Sequence, residues 1–120
     1  MTGTITSVEN LRDALLAAGF HQSHATKKLL EMRHGDLTIY LKRETRKNSL
    51  VVEPKFQDLA SKIEPLGVTF DRPLRFYVNS NMRRFPEHAP AHRKTTSRCG
   101  FALSPTVAAI PALVTLLEKR

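Results

Sequence analysis

Apolar residues at the start of the chain recur with a helical period. Val8, Leu11, Leu15 and Ala18 fall on one face. Thr6 and Glu9 have the spacing of a capping box, and Gly19 stands where a left-handed residue would stop the helix. The period then changes to two. Leu30-Glu31-Met32-Arg33 and Leu37 to Lys42 alternate as half-buried strands do, and His34-Gly35-Asp36 reads as the tight turn between them. A polar tip, Glu44 to Asn48, leads into the short run Leu50-Val51-Val52, which Pro54 ends. These three segments predict an antiparallel meander. Phe56, Leu59 and Ile63 predict a short amphipathic helix stopped by Pro65.

Val68-Thr69-Phe70 predicts a small strand, and 74–78 a further one, with Leu74, Phe76 and Val78 alternating with Arg75 and Tyr77. From Asn79 to about Leu103 no period is visible, and structureless stretches of that length are usually functional or mobile. Ser104-Pro105 has the form of a helix start. Pro111 would cost ~3 kcal/mol in a helix interior. The pattern therefore predicts a break near residue 110 or a main helix beginning there, with Ile110, Leu113, Leu116 and Leu117 as its buried stripe.

The order of elements predicts an α+β fold. It is a two-layer sandwich in one domain, residues 1–120, with an antiparallel sheet of about five strands. The N-terminal and C-terminal helices pack on one face, and the other sheet face is left open. At 120 residues and 41% hydrophobic the chain can close one core. No apolar run approaches the ~20 residues of a membrane span, so no membrane association is expected. The first residues lack the charge and apolar run of a secretory signal. The lone Cys99 cannot form an internal disulfide, and a cytoplasmic location is the expectation.

Charge sharpens the picture. The chain is +8 overall. Residues 72–98 hold seven cations against Glu87, and residues 42–47 hold four against Glu44, so the rest of the chain nets close to zero. Solubility does not require such clustering, whereas a polyanion partner would use it. The candidate contact residues are Lys42, Arg43, Arg46 and Lys47 on one arm. The other arm holds Asn79, Asn81, Arg83, Arg84, Arg93, Lys94 and Arg98. Arginine forks bind phosphate bidentately, Asn amides reach phosphate or base edges, and Tyr77 and Phe85 would offer stacking surfaces if exposed. The resulting expectation is a non-enzymatic basic module that binds nucleic acid and needs no cofactor. The alternative is an adaptor or homodimer that meets an acidic protein surface.

The stretches Ala18-Gly19-Phe20, Arg33 to Glu44, Leu50 to Pro54 and Cys99-Gly100-Phe101 resemble a family of small uncharacterised bacterial cytoplasmic proteins, the YgaC family. The resemblance implies a fold similar to the N-terminal domain of TfoX and to the two-layer sandwich of secretion chaperones. It implies no activity.

Three catalytic or metal readings compete. Asp36 begins one strand and Glu53-Pro54-Lys55 ends the next. That places two carboxylates and a lysine at one sheet edge, as in the D…ExK site of Mg²⁺-dependent nucleases. Against it, Asp36 is an ordinary turn residue and such matches arise by chance. His88, His92 and Cys99 have zinc-ligand chemistry but lack a fourth ligand. Cys99 beside Arg98, with His92 as base, has the makings of an activated thiol, yet a lone cysteine is more often a small buried residue. His21 and His24 read as exposed loop residues.

Overall fold

The computed structural model describes residues 8–43, 49–70, 76–78, 82, 84–85, 87–88 and 97–118, with 76–78, 87–88 and 97–98 described as backbone. Helix α1 spans Val8–Ala17 and buries Val8, Leu11 and Leu15, the face that the spacing predicts. The proposed cap Thr6 lies outside the described residues. Gly19 ends the turn at φ 102°, a backbone region open to glycine at little cost. Strands β1 (His21–Ala25), β2 (Leu29–His34), β3 (Leu37–Lys42) and β4 (Leu50–Val52) follow, then a mostly 3-10 segment from Pro54 with one α-helical turn, α2 (Ala60–Ile63). Strands β5 (Phe76–Val78), β6 (Glu87–His88) and β7 (Ser97–Leu103) precede the last helix, α3 (Ile110–Glu118).

The sheet is open and antiparallel, in the order β1-β2-β3-β4-β7-β5. β1 to β4 and β7 form its body, while β5 and β6 pair with successive stretches of β7. The fold is α+β, as the pattern predicts. Three elements differ from the sequence reading. His21 and His24 belong to an edge strand rather than a loop, since β1 pairs with β2 through His21↔Arg33 and Ala25↔Leu30. β1 escapes detection because its residues are nearly all exposed and carry no apolar alternation. The aperiodic stretch contains β6 and the long strand β7. In β7 the alternation is hidden by Gly100 and Ala102, small residues on the crowded side of the sheet. Val68 to Phe70 yields a single bridge, Thr69↔Ser104.

Both sheet faces are covered. One carries the main core, in which Leu30, Met32, Ile39, Leu41, Leu50, Val52, Phe101 and Leu103 pack against α1, α3 and Phe56. The opposite face, expected to be open, carries a second cluster of Leu29, Tyr40 and Val51 capped by Met82 and Phe85. Met82 and Phe85 are 0% and 1% exposed. Phe85 meets the Tyr40 ring edge-on, with centroids 4.8 Å apart. Burying each such side chain contributes roughly 1.5–3 kcal/mol, so the segment folds back onto the sheet instead of staying in solvent.

The last helix begins where Pro111 allows it. Pro111 occupies the first turn of α3, where a missing N–H costs no intrahelical bond. Thr106, not Ser104, caps the 3-10 turn Val107–Ala109 that leads into α3, its hydroxyl accepting from the Ala109 N–H at 3.2 Å. Ser104 is committed to the sheet end through its backbone bonds with Thr69. Among the described residues, no helix is long and apolar enough to cross a membrane.

Gly100 explains how the second cluster closes. A Cβ there would stand 2.4 Å from Val51 Cγ1 and 2.9 Å from Phe85 Cε2. Gly100→Ala is expected to cost about 1–3 kcal/mol by overpacking, whereas Thr69→Ala, at an exposed position, should be nearly neutral. Urea denaturation of the two variants measures the difference, and an unchanged midpoint for Gly100→Ala would contradict the packing described.

Candidate polyanion interface

The described cations of the first arm gather at one end of the sheet. At the first end, the β1–β2 turn is closed by Thr26, whose hydroxyl accepts from the N–H groups of Leu29 (3.0 Å) and Lys28 (3.3 Å). The end of β3 locks onto this turn. The Arg43 N–H donates to the Lys28 carbonyl at 2.8 Å, and Arg43 Nη1 donates to the Thr26 carbonyl at 2.7 Å. The Lys42 N–H donates to the Ser49 carbonyl at 2.7 Å, which brings β4 to the same end. Exposed Lys27 and Lys28 therefore join half-buried Lys42 and exposed Arg43. Lys27 and Lys28 were not singled out from the sequence, because they are remote from residue 42 along the chain and adjacent to it only through the hairpin register Leu29↔Lys42. Arg46 and Lys47, expected on this arm, lie outside the described residues.

Asn79, Asn81, Arg83, Arg93 and Lys94 of the second arm also lie outside the described residues. Arg98 is in β7, opposite Glu87. Leu103 of β7 and Leu41 of β3 both pair with Leu50. At ~3.4 Å per residue that register sets the Arg98 backbone about 20 Å from Lys42 along the strands. The Arg98 backbone thus lies toward the other end of the sheet from Lys42 and Arg43.

Arg84 sits near the first arm and has a second task. Its Nε donates to Glu31 Oε2 at 3.2 Å, and its backbone N–H donates to the Tyr40 hydroxyl at 3.2 Å. Glu31 is 1% exposed. The Tyr40 hydroxyl donates to Glu31 Oε1, and the Ser23 hydroxyl to Oε2, each at 2.7 Å. Ser23 lies at the irregularity in β1 where the register shifts between Gln22 and His24, and bulges re-aim side chains in this way. With 38% of its side chain exposed, Arg84 keeps part of its fork at the surface while Nε is held by the carboxylate. Phe85, a stacking candidate from sequence, is buried and cannot stack on a base without leaving the sheet.

The nuclease triple is brought together at one cleft. Asp36, Glu53 and Lys55 border one cleft at the far end of the sheet. There Lys55 Nζ pairs with Glu53 Oε2 at 3.2 Å. Among the described residues no three His, Cys, Asp or Glu side chains converge as a metal site. The activated-thiol expectation is corrected for Cys99. Burial pushes the Cys99 thiol pKa up from its ordinary value, so the thiol holds its proton at neutral pH. His92 lies outside the described residues.

Two predictions follow from these contacts. Arg84→Ala and Tyr40→Phe should each cost about 1–3 kcal/mol, because each strips a partner from a buried carboxylate. They should also couple in a double-mutant cycle read by urea denaturation, and additive losses would refute the network. Cys99 should alkylate slowly with iodoacetamide at pH 7.5 and rapidly once urea unfolds the chain. Its raised pKa contributes stability that is complete below the unfolded-state pKa and fades as pH rises through the raised folded value. Compared with known protein-family models and with curated proteins, the sequence has no significant match.

Proposed function

We propose that the protein is a non-enzymatic binding module that docks a polyanion, nucleic acid in the simplest case, on the cationic end of its sheet. The observation that carries this reading is the junction of the Lys27-Lys28 turn with Lys42 and Arg43 through the Arg43 hydrogen bonds. Among the described residues no ion pair neutralises Lys27, Lys28 or Arg43. Phosphate binding requires only such clustered cations, and its strength lies in counterion release rather than in base readout. Arg84 extends the cationic end onto the adjoining sheet face. Arg46 and Lys47, between Arg43 and Ser49 in the chain, belong to the same arm in this reading, and Asn79, Asn81, Arg83, Arg93, Lys94 and Arg98 to a second contact. A cytoplasmic location and kinship with the YgaC family belong to the same proposal. What supports the kinship is the order of helix, antiparallel strands and terminal helix.

Binding of a labelled oligonucleotide, followed by fluorescence anisotropy between 50 and 200 mM salt, tests this. The expected slope of log affinity is ~0.7–0.9 per phosphate neutralised, with little dependence on base sequence. Lys27→Glu combined with Lys28→Glu should weaken binding about tenfold or more and flatten the slope, without changing the urea midpoint. Equal affinity of this variant and the parent would sink the assignment.

A further inference from the structure

We propose that the cleft at the opposite end of the sheet is a binding site for a small organic cation with an apolar body. The cleft has a volume of about 460 Å³, within the ~300–1,000 Å³ range of small-molecule sites. Three elements frame it: the β2–β3 turn with His34, Gly35 and Asp36, the exit of β4 with Glu53, Lys55 and Phe56, and the end of α3 with Leu117 and Glu118. Leu37, Phe56 and Leu117 supply an apolar floor beneath a polar rim.

The rim reverses the charge of the molecule. Lys and Arg outnumber Asp and Glu by 19 to 11 in the chain. Among the described residues around this opening, three carboxylates, Asp36, Glu53 and Glu118, face one lysine and a histidine. Two are partly engaged. Glu53 pairs with Lys55. Glu118 Oε2 lies 2.5 Å from His34 Nδ1, an ion pair when the imidazole is protonated. Asp36 is exposed and, among the described residues, has no partner. The C-terminal carbonyls of α3 add partial negative charge at the same rim. An ammonium or guanidinium group placed between Asp36 and Glu118 meets two carboxylates and a helix C-terminus while its apolar body covers Leu37 and Phe56. An anion placed there would meet repulsion from all of them. The site is independent of the cationic end, so failure of either reading leaves the other standing.

Titration of ¹⁵N-labelled protein with phenethylamine, 2-phenylethanol and 3-phenylpropanoate tests the site by NMR at pH 7. The three probes share an apolar ring and differ in charge. Phenethylammonium is expected to shift the amides of Gly35, Asp36, Leu37, Phe56, Leu117 and Glu118. The alcohol and the carboxylate should bind about tenfold or more weakly, because a charge-assisted bond is lost. Asp36→Asn, at an exposed turn position, should weaken the amine severalfold and leave the alcohol unchanged. The site is overturned if the amine produces no shifts at 20 mM, if its shifts scatter away from the cleft, if the alcohol binds as well, or if Asp36→Asn has no effect.

Discussion

The arrangement turns on one buried carboxylate. Glu31 lies in the middle of β2 with almost no exposure, and taking such a group out of water costs several kcal/mol unless partners replace its hydration. Three come from different places. Ser23 comes from the edge strand, Tyr40 from the neighbouring strand, and Arg84 from a segment over fifty residues away. Charge-assisted hydrogen bonds of this kind are each worth about 1.5–3 kcal/mol net. Together they make burial tolerable only when β1, β2, β3 and the 82–85 turn are assembled in one arrangement. The carboxylate therefore acts as a registry device, because a slipped strand or a lifted turn would leave it stranded.

That registry explains how a short sheet comes to be covered on two sides. The helices seal one face with ordinary aliphatic packing. On the other face, among the described residues, Met82 and Phe85 pack over Leu29, Tyr40 and Val51. Gly100 makes room for Phe85 at the centre. Arg84, between the two anchors, joins the same turn to Glu31 and Tyr40. One turn thus combines apolar anchors with a polar latch, and a surface arginine has a structural duty besides any binding duty.

The sheet also sorts charge along its length. Antiparallel pairing brings Lys27 and Lys28 beside Lys42 and Arg43 at one end. It brings Asp36 and Glu53 to the other, where Glu118 at the end of α3 joins them. The separation gives the two ends different chemistry within a chain whose net charge alone would suggest a uniformly basic surface. In the two proposals, the cationic end takes phosphate and the acidic cleft an amine.

The sequence by itself determined the elements whose local pattern is strong. The α1 face at Val8, Leu11 and Leu15, the Leu37–Lys42 strand, and the helix start that Pro111 permits follow from periodicity and backbone chemistry within a few residues. It also pointed to Lys42 and Arg43, and to Asp36 and Glu53, which line one cleft. Only the tertiary structure decided the rest. The exposed strand β1 has no apolar alternation to betray it, and in β7 Gly100 and Ala102 erase the pattern because close packing demands small residues there. Whether Glu31 was a surface charge or a buried one, whether Phe85 was a stacking platform or a plug, and which cations share an end are long-range questions. Their answers depend on which strands pair and in what register, and chain spacing carries no record of that.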